Sequence, residues 1–318
     1  MMKKIFKDNK DAKIYLAGHR GLIGSALLRQ LKKRGYNNLV FRTSKELDLR
    51  DFHAVERFFK EENPDFVFIA AAKVGGIKAN MDYPADFVYD NLQIQNNIIH
   101  NSWKFNVSKL LFLGSACIYP TKSEQPIKEE YFLTGPFEQT NQPYAVAKTA
   151  GIEMCKSYRN QYGCNFISPI PNNLYGPGDN FDPANSHLMA ALIRKFHEAK
   201  VRGDPEVILW GTGTPRREML YSEDAAEALI LLMEKYDSPE VINIGLGEDN
   251  TVKEIAEIVK EVIGFNGKIV FDTSKPDGMK QRLLDVSKIH ALGWKASTPL
   301  KEGIKESYKW FLENIDEK

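Results

Sequence analysis

Three glycines in GxxGxxG spacing, Gly18, Gly21 and Gly24, lie in KIYLAGHRGLIGSALLRQL, directly after an apolar run and at the opening of an amphipathic one. No other feature of the 318 residues restricts the fold as tightly. In a strand-to-helix turn of this kind the first glycine permits the tight bend. The second lets a pyrophosphate approach the backbone, and the third lets helix pack against strand. The helix start adds unpaired N–H groups and the positive end of the helix dipole, a seat for phosphate. A glycine-rich turn without a ligand would use the same residue types, so the rest of the pattern must decide.

The pattern favours a dinucleotide. KIYLAG (13–18), NLVFR (38–42), FVFIA (66–70), KLLFLG (109–114) and NFISPI (165–170) are apolar almost throughout, as strands buried on both faces are. Helical stretches at about 21–34, 51–62, 84–106 and 143–162 alternate with them. The expected fold class is α/β, a Rossmann-type doubly wound parallel sheet with a smaller C-terminal α/β substrate lobe. ISPIPNNLYGPGDNFDPANS (167–186) reads as one long functional loop. After it come helices at about 186–200, 222–235, 252–264 and 301–315, with strands at 206–210, 241–245 and 268–272. The dinucleotide domain is expected over 12–171, with a segment near 217–245 returning to it. The lobe takes 172–216 and 246–318.

Lys plus Arg number 43 against 42 Asp plus Glu, a balance that argues against nucleic acid and against an anionic membrane surface as partners. Cys117, Cys155 and Cys164 form no CxxC and no disulfide framework, so a reducing compartment is expected. MMKKIFKDNKDAK holds no apolar run of secretory length, and FVFIAAA (66–72) is far too short to span a bilayer. The expected location is cytoplasmic. His19, His53, His100, His197 and His290 show no ligand spacing, so no metal is expected.

The second strand ends FRTSKELDLRD, with Arg42, Ser44 and Lys45 where an acidic residue would mark NAD. Together with Arg20 these cations point to the 2′-phosphate of NADP(H). Asp48 suits either the adenine amino group or the cap of the helix at 51. Ser115, Cys117 and Tyr119 follow the fourth strand in GSACIYP, and PYAVAKTAG carries Tyr144 and Lys148. At i,i+4 the last two share a helical face. A tyrosine titrates near ~10 when free, and a nearby ammonium is expected to lower that value. The trio suits hydride transfer at a carbinol or carbonyl carbon, the cofactor carrying hydride and Tyr144 the proton.

The GxxGxxG and YxxxK spacings resemble those of the extended short-chain dehydrogenases/reductases. AAAKVGGIKAN, GSACIYP, NLYGPGDNFDPANSH, WGTGTPRRE and FDTSKPDG bring the resemblance nearly end to end to the GDP-L-fucose synthase family, GDP-4-keto-6-deoxy-D-mannose 3,5-epimerase-4-reductases. The resemblance implies two-step conversion of that GDP-sugar, with another NAD(P)-dependent nucleotide-sugar 4-epimerase or reductase as the alternative. It implies that Ser115, Tyr144 and Lys148 serve reduction, while Cys117 is a carbon base and His187 the acid opposite it. On spacing alone Cys117 would be packing and His187 a helix-terminal residue. The implied NADP contacts are Gly18, His19, Arg20, Gly21, Leu22, Ile23, Gly24, Ser44, Lys45, Asp48, Leu49, Leu113, Gly114, Lys148, Pro171, Asn172, Asn173, Leu174 and His187. Lys195, Trp210, Arg217 and Asp277 would line the GDP side, and a homodimer is implied. Three positions depart from the common family pattern: Ser44 and Lys195 stand where arginine is frequent, and Ala116 where serine is.

Overall fold

The computed structural model describes residues 5–7, 9–183 and 186–314. The first half runs β1 (Ile14–Ala17), α1 (Leu22–Lys33), β2 (Leu39–Val40), α2 (Phe52–Glu62), β3 (Phe66–Ile69), α3 (Ile77–Asp82), α4 (Pro84–Lys104), β4 (Lys109–Phe112), α5 (Gln142–Tyr162) and β5 (Phe166–Ile167). The second half runs β6 (Pro169–Pro171), β7 (Asn173–Tyr175), α6 (Leu188–Arg202), β8 (Glu206–Trp210), β9 (Arg216–Arg217), β10 (Met219–Tyr221), α7 (Ser222–Lys235), β11 (Ile242–Ile244), β12 (Asn250–Thr251), α8 (Val252–Ile263), β13 (Lys268–Asp272), β14 (Gln281–Arg282), α9 (Ser287–Ala291) and α10 (Leu300–Asn314).

β1 to β5 form one parallel sheet in the order β2-β1-β3-β4-β5. Every residue of β1, β3 and β4 is buried, which is why these strands are apolar without alternation. α1 packs with α7, and α4 packs with both α2 and α5, two helix groups of the kind that cover a parallel sheet. The strand order reverses between β1 and β3, so the C-terminal ends of these strands make the crevice where such sheets bind ligands. Beyond the main sheet, β6 pairs with β11, β7 with β10 and β8 with β13, all parallel. β9 pairs antiparallel with β12 and parallel with β14.

Two apolar clusters hold these elements. One gathers the five-stranded sheet, α7 and β11, and also Leu284, Val286, Ile289 and Trp294. The other joins α6, β8, α8 and α10 through Ile193, Phe196, Ile255, Val259 and Ile304.

The stretch expected to be one loop from 167 to 186 instead carries β6 and β7, whose partners β11 and β10 come from much later in the chain. Proline suits β6 because a paired N–H is not demanded at every position of so short a strand. α3 was not expected at all. The final helix begins one residue early, and the end expected for it falls outside the described residues.

Candidate active site

The glycine turn is built as a dinucleotide cradle requires. Gly18 has φ +88°, and a Cβ there would lie 2.7 Å from the Ala71 amide nitrogen at the end of β3. A Cβ on Gly24 would lie 2.0 Å from the Gly18 carbonyl oxygen, so α1 sits directly on the turn. At Gly21 a Cβ would meet only that carbonyl, at 3.5 Å, which leaves the outer side of the turn open. Gly21 caps α1 with no side-chain acceptor, and the first turn carries no acidic residue. The free N–H groups and the dipole therefore face outward uncompensated. Nδ1 of His19 is buried without a hydrogen-bond partner, while its ring stacks on Phe41 at 4.5 Å. An orphaned polar atom beside an open phosphate turn fits a bound dinucleotide. Leu22 and the buried Ile23 continue the turn into α1.

Of the cations expected at the 2′-phosphate, Arg20 and Lys45 are exposed, and Ser44 lies beside Lys45 in the same loop. Arg42 is otherwise engaged: its guanidinium donates to Glu62 Oε1 at 2.6 Å and to the Phe41 carbonyl at 2.9 Å. Glu46 folds back on the Thr43 N–H and hydroxyl, both at 2.7 Å. The helix-capping alternative for Asp48 is corrected, because Asp51 caps α2 by accepting from the Ala54 N–H. Asp48 accepts from Arg50 instead. Asn97 of α4 donates to the Leu49 carbonyl, fixing that end of the loop.

Ser115 ends the extension of β4 and caps a short 3-10 turn over Ala116–Ile118, its hydroxyl accepting from the Cys117 N–H at 3.5 Å. Cys117 is thereby held inward and buried. α5 is seated tightly against β4. A Cβ on Gly151 would lie 2.5 Å from the Phe112 ring, and Gln95 of α4 donates to the Ala147 carbonyl at 2.7 Å. This seat fixes Tyr144 and Lys148 earlier on the same helix. Lys148 donates its ammonium to the Leu113 carbonyl at 2.7 Å and lies 4.8 Å above the Phe112 ring centre. Gly114 is pinned beside it, its N–H donating to the Pro169 carbonyl.

The electrostatics overturn one expectation. Burial pushes the Tyr144 phenol well above its usual range, and the nearby Cys117 pushes in the same direction. Lys148 does not offset this, since its ammonium is turned to Leu113 and sits 5.7 Å from the Tyr144 ring centre. Burial lowers the Lys148 pKa itself to about 8. The site thus holds Tyr144 as a neutral phenol, the form that donates a proton to a reduced carbonyl oxygen. Burial likewise raises the Cys117 thiol. Ser115, Arg282 and Lys148 oppose that rise.

His187 is the N-terminal cap residue of α6, with an exposed side chain that makes no cap hydrogen bond. The protein mass around it lowers its pKa. Among the described residues no hydrogen bond joins its ring to Cys117. Lys195 donates to the Ile208 carbonyl at 2.8 Å, beside the exposed Trp210 at the end of β8. Asp277 accepts from the Thr212 N–H and hydroxyl, and Arg217 donates to the Met279 carbonyl at 2.7 Å. Asp277, in the loop after β13, thus reaches the loop after β8, while Lys195 lies in α6, Trp210 ends β8 and Arg217 lies in β9. Asn172 and Asn173, at the ends of β6 and β7, are fixed by Glu218, and Pro171 and Leu174 lie in those two strands.

Sequence reasoning missed Arg282 and Glu218. Arg282 is in β14, opposite Arg217 in register, and its Nε is buried without a hydrogen-bond partner. Glu218 is fully buried and accepts from Asn172, from the Gly247 N–H at 2.7 Å and from the Leu284 N–H at 3.1 Å. One signal was present: each is a charged residue set directly against an apolar pair, in RREML and RLL. Among the described residues no cluster of three or more His, Cys, Asp or Glu is placed to hold a metal ion.

An open phosphate turn at a switch point and a largely buried Ser-Tyr-Lys set on the adjoining strand and helix define a nicotinamide-dependent oxidoreductase of the extended short-chain type. The profile of the NAD dependent epimerase/dehydratase family matches residues 14–245. The chain is 53% identical over 307 residues to GDP-L-fucose synthase 1 of Arabidopsis thaliana, covering 96% of this chain and 95% of that protein. It is 50% identical over 313 residues to GDP-L-fucose synthase of Escherichia coli (strain K12), covering 96% and 98%. Among solved structures, a GDP-mannoheptose C4 reductase from Campylobacter jejuni with NADP bound superposes with a TM-score of 0.88 at 46% identity, over 95% of this chain and 99% of that one. The chain belongs to the NAD-dependent epimerase/dehydratase family and, within it, to the GDP-L-fucose synthases.

Proposed function

We propose that this chain converts GDP-4-keto-6-deoxy-D-mannose to GDP-L-fucose by epimerisation at carbons 3 and 5 followed by NADPH-dependent reduction at carbon 4. The observation that carries the reading is one largely buried group of side chains holding both chemistries, the Cys117 thiol beside Ser115, Tyr144 and Lys148. The 4-keto group makes the neighbouring C–H bonds acidic. Cys117 takes a proton as thiolate, and the Ser115 and Tyr144 hydroxyls donate hydrogen bonds to the enolate oxygen. His187 returns a proton on the opposite face, and repetition at the second carbon completes the inversion. NADPH, when bound, supplies a hydride to carbon 4. Tyr144 then gives its proton to the carbinol oxygen, and Lys148 binds the cofactor ribose and holds positive charge beside it. Gly18, His19, Arg20, Gly21, Ser44 and Lys45 hold the dinucleotide, while Lys195, Trp210, Arg217 and Asp277 hold the GDP.

The division of labour follows the expected domains, 12–171 with 217–245 for NADP and the remainder for GDP-sugar. The two apolar clusters support it in outline, although Leu284, Val286, Ile289 and Trp294 pack with the first and Met219 and Tyr221 with the second. A cytoplasmic homodimer completes the reading. Exposed Tyr89, Val146 and Tyr162 on the α4–α5 pair support the dimer, and no helix among the described residues is long and apolar enough to cross a membrane.

A second reading, reduction at carbon 4 without epimerisation, is favoured by the likeness to the Campylobacter jejuni C4 reductase. The test is incubation with the keto sugar and NADPH in D₂O, with the product identified by NMR. GDP-L-fucose labelled at carbons 3 and 5 supports the proposal. An unlabelled sugar of unchanged configuration at those carbons supports the second reading and defeats the first.

A further inference from the structure

Among the described residues, Arg282 is the one cation acting on the proposed base Cys117 that this mechanism leaves unused. β14 is strapped in place on several sides. The Arg282 carbonyl accepts from Asn172 Nδ2 at 3.0 Å, the Leu283 N–H donates to Gln125 Oε1 at 2.7 Å, and the Leu284 N–H donates to Glu218. The Leu283 carbonyl also accepts from the Ile127 N–H at 2.7 Å. The backbone under Arg282 is therefore fixed, yet its Nε is buried with nothing to bond. A half-buried guanidinium whose buried Nε has no acceptor gains from an anion that comes within its reach at some stage of turnover.

The candidates for that anion are few. Glu138 acts on Arg282 more weakly than Cys117 does, and its oxygens already accept from the Thr140 N–H and hydroxyl and the Asn141 N–H ahead of α5. Arg217, on the neighbouring strand, is a cation and repels it. The stronger anionic neighbour is Cys117. Around that thiol stand the Ser115 hydroxyl, Tyr144 and Lys148 of α5, and Arg282. Tyr144 is neutral, and Lys148 is committed to Leu113 and begins to lose its charge near pH 8. A guanidinium keeps its charge throughout this range.

We propose that the Arg282 guanidinium is the permanent counter-charge of the Cys117 thiolate, and so a positioning residue for proton removal at carbons 3 and 5. The proposal rests on the reading of Cys117 as the carbon base. It assigns Arg282 to the epimerisation half of the reaction and not to hydride transfer.

The test measures exchange of solvent deuterium into saturating keto sugar, without NADPH, as a function of pH. Native enzyme, Arg282→Lys and Arg282→Met are compared, each also in a Cys117→Ser background. Removing the charge raises the thiol pKa, so Arg282→Met should slow exchange at neutral pH roughly 10- to 100-fold and shift its rising limb to higher pH. Arg282→Lys should recover most of the rate. In the Cys117→Ser background Arg282→Met should cost little more. An equal cost in both backgrounds, or a raised KM with an unmoved pH profile, would overturn the proposal and make Arg282 a substrate-binding or merely structural residue. Thiolate absorbance at about 240 nm, read as the difference from Cys117→Ser, gives an independent measurement for the native enzyme and Arg282→Lys, and for Arg282→Gln should the Met variant misfold. A Cys117 titration unchanged in Arg282→Gln sinks the proposal. Absence of exchange in the native enzyme would instead defeat the reading of Cys117 as base, and the absorbance titration would still decide whether Arg282 governs the thiol.

Discussion

Asn172 donates its side-chain amide to the Glu218 carboxylate at 2.5 Å, in a position where neither residue meets solvent freely. The same amide donates to the Arg282 carbonyl, while Glu218 also accepts from Gly247 and Leu284. One carboxylate thus ties together the end of β6, the turn after β11 and the end of β14. Burial pushes its pKa up, and the donors around it pull the other way. Glu218→Gln replaces one acceptor oxygen with an NH₂ facing N–H donors. The expected loss is about 1–3 kcal/mol of stability, read as a drop in unfolding midpoint with cofactor binding weakened. A variant as stable as the native chain would show the carboxylate to be dispensable.

Tyr144→Phe keeps the ring and removes the proton. Because the phenol acts on charge that develops only in the transition state, single-turnover hydride transfer should fall by about two to four orders of magnitude. NADPH affinity should barely change. Near-normal reduction would remove Tyr144 from the mechanism.

Cys117→Ser nearly preserves size and supplies a far weaker base. Deuterium wash-in at carbons 3 and 5 should almost vanish, while slow reduction of the unepimerised keto sugar persists. His187→Asn should slow completed inversions more than proton abstraction, because the base on the other face is intact. Mass spectrometry and NMR after incubation in D₂O check both. Wild-type exchange by the serine variant would reduce Cys117 to packing.

Burial lowers the Lys148 pKa to about 8. Below that pH it carries the charge that favours a phosphate-bearing cofactor, and above it the charge must be restored on binding. The NADPH dissociation constant should therefore be flat up to about pH 8. Above that it should rise, by up to about tenfold per pH unit. Lys148→Met should bind more weakly and lose the break. Fluorescence titration from about pH 6.5 to about pH 10, a range that ends near the reference value of a free lysine, tests this. A native profile with no break would separate the Lys148 charge from cofactor binding.

What could be read in advance followed from local order. β1, β3 and β4 announce themselves because burial on both faces leaves no polar position, and α1 because its glycines and apolar stripe are adjacent in sequence. The placement of Ser115 after β4 and of Tyr144 and Lys148 on α5 was legible for the same reason. β9, β12 and β14 have two residues apiece, too few for any periodicity, and are strands only because remote partners make them so. Arg282 and Glu218 acquire their surroundings through those pairings. Lys148 and Tyr144 share one helix, as the spacing indicates, but the direction of the tyrosine shift follows its burial, which the ammonium held by the Leu113 carbonyl does not offset.

The knot around Glu218 bears on how such enzymes could be recombined. Glu218 and its partners Asn172, Gly247 and Leu284 come from four separate stretches of chain. A chimaera that grafts a foreign nucleotide-sugar half onto this cofactor half at a single junction just after β6 and Asn172 keeps the native amide and imports the rest. Such a hybrid inherits a working crevice only if the donor parent offers a carboxylate of the same reach. The carboxylate and its donors must therefore be exchanged as one inheritable unit, although they are scattered along the chain.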